Sequence, residues 1–212
     1  MKISEGLKLK GRPAEIPDCG RNDLPGFFKE MGFKRGIEVG VFQGEYTEVL
    51  AKSELEIYGI DPWLQYEGYV YSTGKTKVYF NDMYEKAKER LSPYKNVKLI
   101  RKMSMDALSD FEDESLDFVY IDANHTFKYI AEDMYYWSYK LKDGGILCGH
   151  DYAYFRHRYI GGGCQVKEIV NAFSFSYDLD FWVLGRNKKI KGEIRDDYRS
   201  WMFIKDKNWI PK

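Results

Sequence analysis

Gly36-Ile-Glu-Val-Gly-Val-Phe-Gln-Gly44, followed by Tyr58-Gly-Ile-Asp61, reads as a buried strand, a glycine turn opening a helix, and a second strand ending in a carboxylate. The two oxygens of such a carboxylate can accept hydrogen bonds from both hydroxyls of a ribose. Glu38 and Asp61 stand 23 residues apart, near the spacing of roughly 20 expected between a glycine turn and its ribose-binding acid. The glycines follow Glu-x-Gly-x-x-x-Gly rather than Gly-x-Gly-x-x-Gly, so the backbone offers fewer close approaches than a pyrophosphate needs. The turn therefore predicts an adenosine ligand without a pyrophosphate. Taken alone, Glu38 also reads as a strand-end carboxylate capping the next helix, and Asp61 as a turn residue before Pro62.

The rest of the chain extends this unit. Strands are expected at 36–41, 57–61, 97–101, 116–122 and 145–149, each short, apolar and partly β-branched, as strands buried on both faces should be. Helical patterns fall between them at 46–52, 81–91 and 127–141, the last with Ile130, Met134, Trp137 and Leu141 on one face and Gly144-Gly145 as its stop. After a helix over 166–173, strands at 181–184 and 201–204 form an antiparallel pair. The prediction is an α/β fold: a Rossmann-like, doubly wound, seven-stranded sheet, mostly parallel, with ligands at the carboxyl ends of its strands. Residues 1–23 precede the first clear helix (24–31) and read as an arm or lid; residues 24–212 read as one domain.

Composition sets limits on function. At 212 residues the chain is large enough for a proper core. Its 33 basic and 33 acidic residues balance, which gives a polyanionic partner such as nucleic acid no bulk attraction. No apolar run reaches the ~20 residues of a membrane span, and the charged N-terminus does not read as a secretory signal. Cys19, Cys148 and Cys164 lack metal-ligand spacing and suit reduced thiols in the cytoplasm. Tyrosine is unusually abundant at 18 residues. Tyr66, Tyr69, Tyr71 and Tyr79 crowd one glycine-containing segment, which predicts a binding loop. A homo-oligomer formed through the N-terminal arm is a further expectation.

A second cluster lies at Tyr120-Ile-Asp122-Ala-Asn-His125 and Gly149-His150-Asp151-Tyr152. Both follow strand ends on the rim that holds the glycine turn. Neighbouring parallel strands lie ~4.8 Å apart, so Asp122 and Asp151 can converge on one cation. A hard ion such as Mg2+ would bind there and keep waters for substrate oxygens to displace. The alternative is that Asp122 orients a ligand amine and Asp151 makes an ordinary turn; both readings stand. His125 can take a proton near neutral pH or simply cap the following helix. His150 and Tyr152 read as substrate-lining residues. His157, in Tyr154-Phe-Arg-His-Arg-Tyr159, is a candidate substrate contact on a loop hinged at Gly161-Gly-Gly163.

The glycine turn resembles motif I of the class I S-adenosylmethionine-dependent methyltransferases. The resemblance implies that Gly40 to Gly44 pass the methionine part of the cofactor, that Glu38 supports the turn and the cofactor amine, and that Asp61 takes the ribose. It places Met103 and Ser104 beside the adenine; Trp63, directly after Asp61-Pro62, reads as flanking the ribose or the adenine. Asp122-Ala-Asn-His125, Lys142-Asp-Gly-Gly145 and Gly149-His-Asp-Tyr152 together resemble the small-molecule O-methyltransferases of catechol-type topology, the macrolide-sugar type among them. In that group a metal chelates the acceptor hydroxyls. The position of His125 carries the general base, a lysine in the catechol type and a histidine in the macrolide-sugar type. The chain departs from the catechol type at His150-Asp151, where that type has Asp-Asn, and imidazole suits magnesium poorly.

The resemblance implies O-methylation of a small acceptor, a sugar or glycan ahead of a phenol. A nicotinamide dehydrogenase is disfavoured by the missing third glycine. A nucleic-acid amino-methyltransferase is disfavoured because Asp122-Ala-Asn-His125 stands where Asp/Asn-Pro-Pro-aromatic belongs. A non-catalytic adenosine-binding module stays open.

Overall fold

The alternating apolar runs form one eight-stranded sheet in the computed structural model, which describes residues 1–69, 74–156, 163–185, 190–194, 196, 198–206 and 209. The strands are β1 (Ala14–Ile16), β2 (Arg35–Val39), β3 (Glu56–Ile60), β4 (Val97–Ile100), β5 (Leu116–Ile121), β6 (Leu141–Gly149), β9 (Trp182–Leu184) and β10 (Trp201–Ile204). A small antiparallel pair, β7 (Phe155–Arg156) and β8 (Gly163–Cys164), lies apart from it. The order across the sheet is β1-β9-β10-β6-β5-β2-β3-β4. Strands β4, β3, β2, β5 and β6 run parallel, and β10 is antiparallel to both β6 and β9.

Alternation along β5 shows why the sheet is buried on both faces. Phe118 stacks on Phe28 at 4.2 Å, and Tyr120 lies 4.3 Å from Tyr46. These partners belong to α2 (Leu24–Glu30) and α3 (Glu45–Ala51). Val119 and Ile121 face the opposite layer, where α6 (Phe127–Ser138) and α7 (Val166–Tyr177) contribute Met134, Trp137 and Val170. Two further helices precede and follow β4: α4 (Lys77–Leu91) and the single turn α5 (Ser104–Ala107); α1 (Ile3–Gly6) opens the chain. Cys19, Cys148 and Cys164 are all buried. Among the described residues no helix is long and apolar enough to cross a membrane.

Two boundaries differ from expectation. The sheet gains an eighth strand because Ala14–Ile16, inside the expected arm, pairs parallel with Trp182–Leu184. Three residues are too few to show a period-2 pattern. Helix α6 ends at Ser138, and Leu141 instead begins β6, paired with Leu116. The six residues of β6 from Leu141 to Ile146 lie opposite the three of β5 from Leu116 to Phe118, and Gly144 turns there at φ 77°. The glycines expected to stop the helix are thus a kink inside the next strand.

Candidate active site

The carboxyl ends of β2, β3 and β5 open onto a cleft lined by Val39, Ile60 and Asp122. Gly40 forms part of its wall at φ 96°, and a Cβ there would sit 2.1 Å from the Asp122 carbonyl oxygen. Only glycine lets the end of β2 pass this close to the end of β5. Gly44, at φ 76°, opens α3, and a Cβ there would meet Leu91 of α4 at 2.9 Å. It sets helix packing and does not line the cleft.

Asp61 ties the turn together. Its Oδ2 accepts from the Val41 and Phe42 amides at 3.1 and 3.0 Å, and its Oδ1 accepts from the Trp63 amide at 2.7 Å. Burial raises its carboxyl above the ordinary value despite these bonds. A carboxylate offers about four lone-pair sites, so one remains for a ribose hydroxyl instead of the two expected. Phe42 and Trp63 hold left-handed backbone angles of 52° and 43°, and Trp63 Nε1 donates to the Phe42 carbonyl at 2.7 Å. Such conformations cost about 1–3 kcal/mol each and persist where their surroundings enforce them. Here Asp61 enforces both, and the two residues line the cleft.

Glu38 lies beneath the cleft, 1% exposed, and accepts from Thr47 Oγ1 of α3. Burial pushes its carboxyl up to about 8. It braces the turn from below and does not line the cavity.

The far end of the cleft holds Met103, Ser104 and Asp133. Ser104 donates to Asp133 Oδ1 and accepts from Trp137 Nε1 at 2.8 Å, so its hydroxyl proton is already committed. Burial pushes the Asp133 carboxyl up to about 7. Sequence reasoning missed Asp133; an acid on the apolar stripe of α6 was the available signal. Tyr66, Tyr69 and Tyr129 close one side: Tyr66 stacks on Tyr69 at 5.1 Å and meets Tyr129 edge-on at 5.3 Å. Asn124 Nδ2 donates to the Gly68 carbonyl at 3.2 Å, and the Tyr129 hydroxyl donates to the Glu67 carbonyl, pinning the 64–69 segment to α6. Tyr71 lies outside the described residues.

Asp122 joins the cleft to a chain of acids and bases. His125 Nε2 lies 3.5 Å from Asp122 Oδ1 and 3.1 Å from Asp151 Oδ2. His150 Nδ1 lies 3.3 Å from the same Asp151 oxygen, and its Nε2 lies 2.9 Å from Asp196 Oδ1. Asp196 Oδ2 accepts from the Arg21 amide at 3.1 Å, and Arg21 Nη1 meets Asp122 Oδ2 at 3.2 Å, closing a ring. Burial alone would raise Asp122; contact with His125 and the charges of His150, His125 and Arg21 hold it below the usual carboxylate range. Burial alone would lower both histidines. His125 is nonetheless raised by Asp122 and Asp151, and His150 is pushed up to about 9 by Asp151, Asp196 and Asp122.

Asp122, His125, His150 and Asp151 are therefore brought together as expected from the sequence. Tyr152 is not: it is buried, and its hydroxyl donates to Asn171 of α7 at 2.8 Å. His157 lies outside the described residues. Arg21 and Asp196 were missed, and neither belongs to a motif that spacing reveals.

Residues 37–152, more than half of the chain, match the family model described as a methyltransferase domain. The chain belongs to this methyltransferase family. The methyltransferase is similar in fold to a putative caffeoyl-CoA O-methyltransferase from Staphylococcus aureus, at 15% identity and a TM-score of 0.60 over 87% of this chain and 82% of the other. It is similar also to the O-methyltransferase TomG from Streptomyces achromogenes, solved with SAM, at 14% identity and 0.56 over 87% and 78%. An rRNA methylase from Streptococcus thermophilus matches at 15% and 0.58 over 90% and 99%. No match is found among curated proteins. The class I, S-adenosylmethionine-dependent assignment and the Rossmann-like sheet expected from the sequence both hold.

Proposed function

We propose that this methyltransferase methylates a hydroxyl oxygen of a small acceptor, with His125 taking the proton. The observation that carries this reading is the position of His125. It stands beside Asp122, which lines the cofactor cleft, and is held by a second carboxylate, Asp151. The cleft suits S-adenosylmethionine: Gly40 leaves a cradle that any side chain would fill, Asp61 keeps one acceptor site for a ribose, and Met103 and Ser104 stand where an adenine would end. Bound there, the cofactor supplies an electrophilic methyl group on a sulfonium.

The residues of the chain do the rest. The cleft walls fix the direction of approach, which is worth several kcal/mol in a displacement that must be in line. The bound cofactor would supply its methyl group to the acceptor oxygen, and neutral His125 would take the hydroxyl proton as that oxygen is methylated. The products are a methyl ether, S-adenosylhomocysteine and a protonated imidazole, which releases its proton to solvent. Asp122 and Asp151 favour that protonated ring.

The acceptor we favour is a sugar or glycan, because the aromatic wall of Tyr66, Tyr69 and Tyr129 offers flat apolar faces beside polar edges. A phenol is the second reading, favoured by the likeness to the putative caffeoyl-CoA enzyme. A balance of 33 basic and 33 acidic residues gives an RNA acceptor little support. The test is S-adenosylhomocysteine release across a panel of sugars, glycosides and phenols. His125→Ala should lower turnover of the active acceptor by about 10²–10⁴-fold; undiminished turnover would remove the base assignment.

A further inference from the structure

Arg21 arrives at the site from 101 residues upstream of Asp122 and is held at several points. It sits on a 3-10 turn, Arg21–Asp23, with its side chain 11% exposed. Its amide donates to Asp196 and its carbonyl accepts from the Tyr46 hydroxyl at 2.8 Å. Its guanidinium lies 5.4 Å from the centre of the Tyr46 ring and 3.2 Å from Asp122 Oδ2. A cation this buried costs several kcal/mol unless it is paired, and a guanidinium cannot shed its charge. The segment therefore delivers a permanent positive charge to the carboxylate expected to bind a metal.

The donor atoms here fit magnesium badly. Mg2+ demands near-octahedral oxygen ligands at about 2.0–2.1 Å. One oxygen of Asp122 faces Arg21 and the other faces His125, while Asp151 Oδ2 lies between two imidazoles. One ligand atom from each of Asp122, His125 and Asp151 does lie within 4.8 Å of the others, a spacing that a single divalent ion could span. What opposes such an ion is the guanidinium on Asp122.

We propose that Arg21 stands in place of the divalent ion: it is a positioning residue that holds Asp122, keeps a metal out, and leaves the acid–base ring competent without one. The proposal rests on reading this site as the methyl-transfer centre. It makes the enzyme metal-independent and assigns Arg21, through Asp122, the task of fixing His125.

The test is calorimetric titration of Mg2+ and Mn2+ into the untagged full chain, Arg21→Lys, Arg21→Met and the double variant Arg21→Met/Asp122→Asn. S-adenosylmethionine is titrated into each as a separate arm. Wild type and Arg21→Lys should show no stoichiometric ion binding below about 1 mM. Arg21→Met should bind one Mn2+ about 100-fold more tightly, and the double variant should lose it. Micromolar ion binding by wild type overturns the proposal, as does cofactor-competent Arg21→Met that gains no ion. Should Arg21→Met not fold, the wild-type titration decides by itself. Loss of cofactor binding by wild type would instead count against the proposed function, whatever the ion arms show.

Discussion

His125 Nε2 stands 3.1 Å from Asp151 Oδ2, and it is this carboxylate, together with Asp122, that sets the proton affinity of the ring. Both acids favour the imidazolium, so the ring is raised above its ordinary 6.5 in spite of its burial. A base must be neutral before it can accept a proton.

Turnover should therefore rise with pH through the pKa of His125, with a midpoint above that of free imidazole. A profile of kcat/KM against pH on the active acceptor checks this. Asp151→Asn removes one of the raising charges and should shift the midpoint downward. An unshifted midpoint would mean that another group carries the proton.

Stability should carry a separate signature of His150. Its pKa in the folded state is about 9, above the ordinary 6.5. The stabilisation from its charged form is thus complete below about 6.5 and is lost as pH rises through about 9. Thermal melts across that window should show a decline on the order of 2 kcal/mol. His150→Gln should flatten it, and so should Asp196→Asn, because Asp196 supplies one of the partners of His150.

Gly40→Ala should abolish cofactor binding and destabilise the fold by about 2 kcal/mol or more. The added methyl would meet the Asp122 carbonyl oxygen at 2.1 Å, at a φ of 96° that alanine rarely adopts. Chemical denaturation and cofactor titration of the same preparation measure the two effects. Gly44→Ala meets the flexible end of Leu91 instead. It should cost stability while retaining measurable cofactor affinity.

What the sequence made legible follows from local pattern. Buried strands announce themselves as short apolar runs, and a glycine turn between two of them, with an acid at the end of the second, places a cleft on the rim. Asp122, His125 and Asp151 were legible because neighbouring strand ends must converge. Arg21 was not, because its role depends on how a segment outside the alternating pattern folds back over β5. Tyr152 follows a strand end like its neighbours, but spacing does not tell which face a side chain takes after Asp151 turns at φ 54°. Asp133 was hidden inside a stripe that is otherwise core. The sugar or glycan acceptor rests on resemblance and on the aromatic wall.

Asp61 offers the most direct trial of the whole account, since the Val41, Phe42 and Trp63 amides converge on it at the mouth of the cleft. Calorimetric titration of S-adenosylmethionine into the wild-type chain should give one site of about micromolar affinity, near 8 kcal/mol. Asp61→Ala, which leaves all three amides without that acceptor, should abolish it. Equal binding by the variant would contradict the placement of the cofactor, and no binding by the wild type would contradict the account itself.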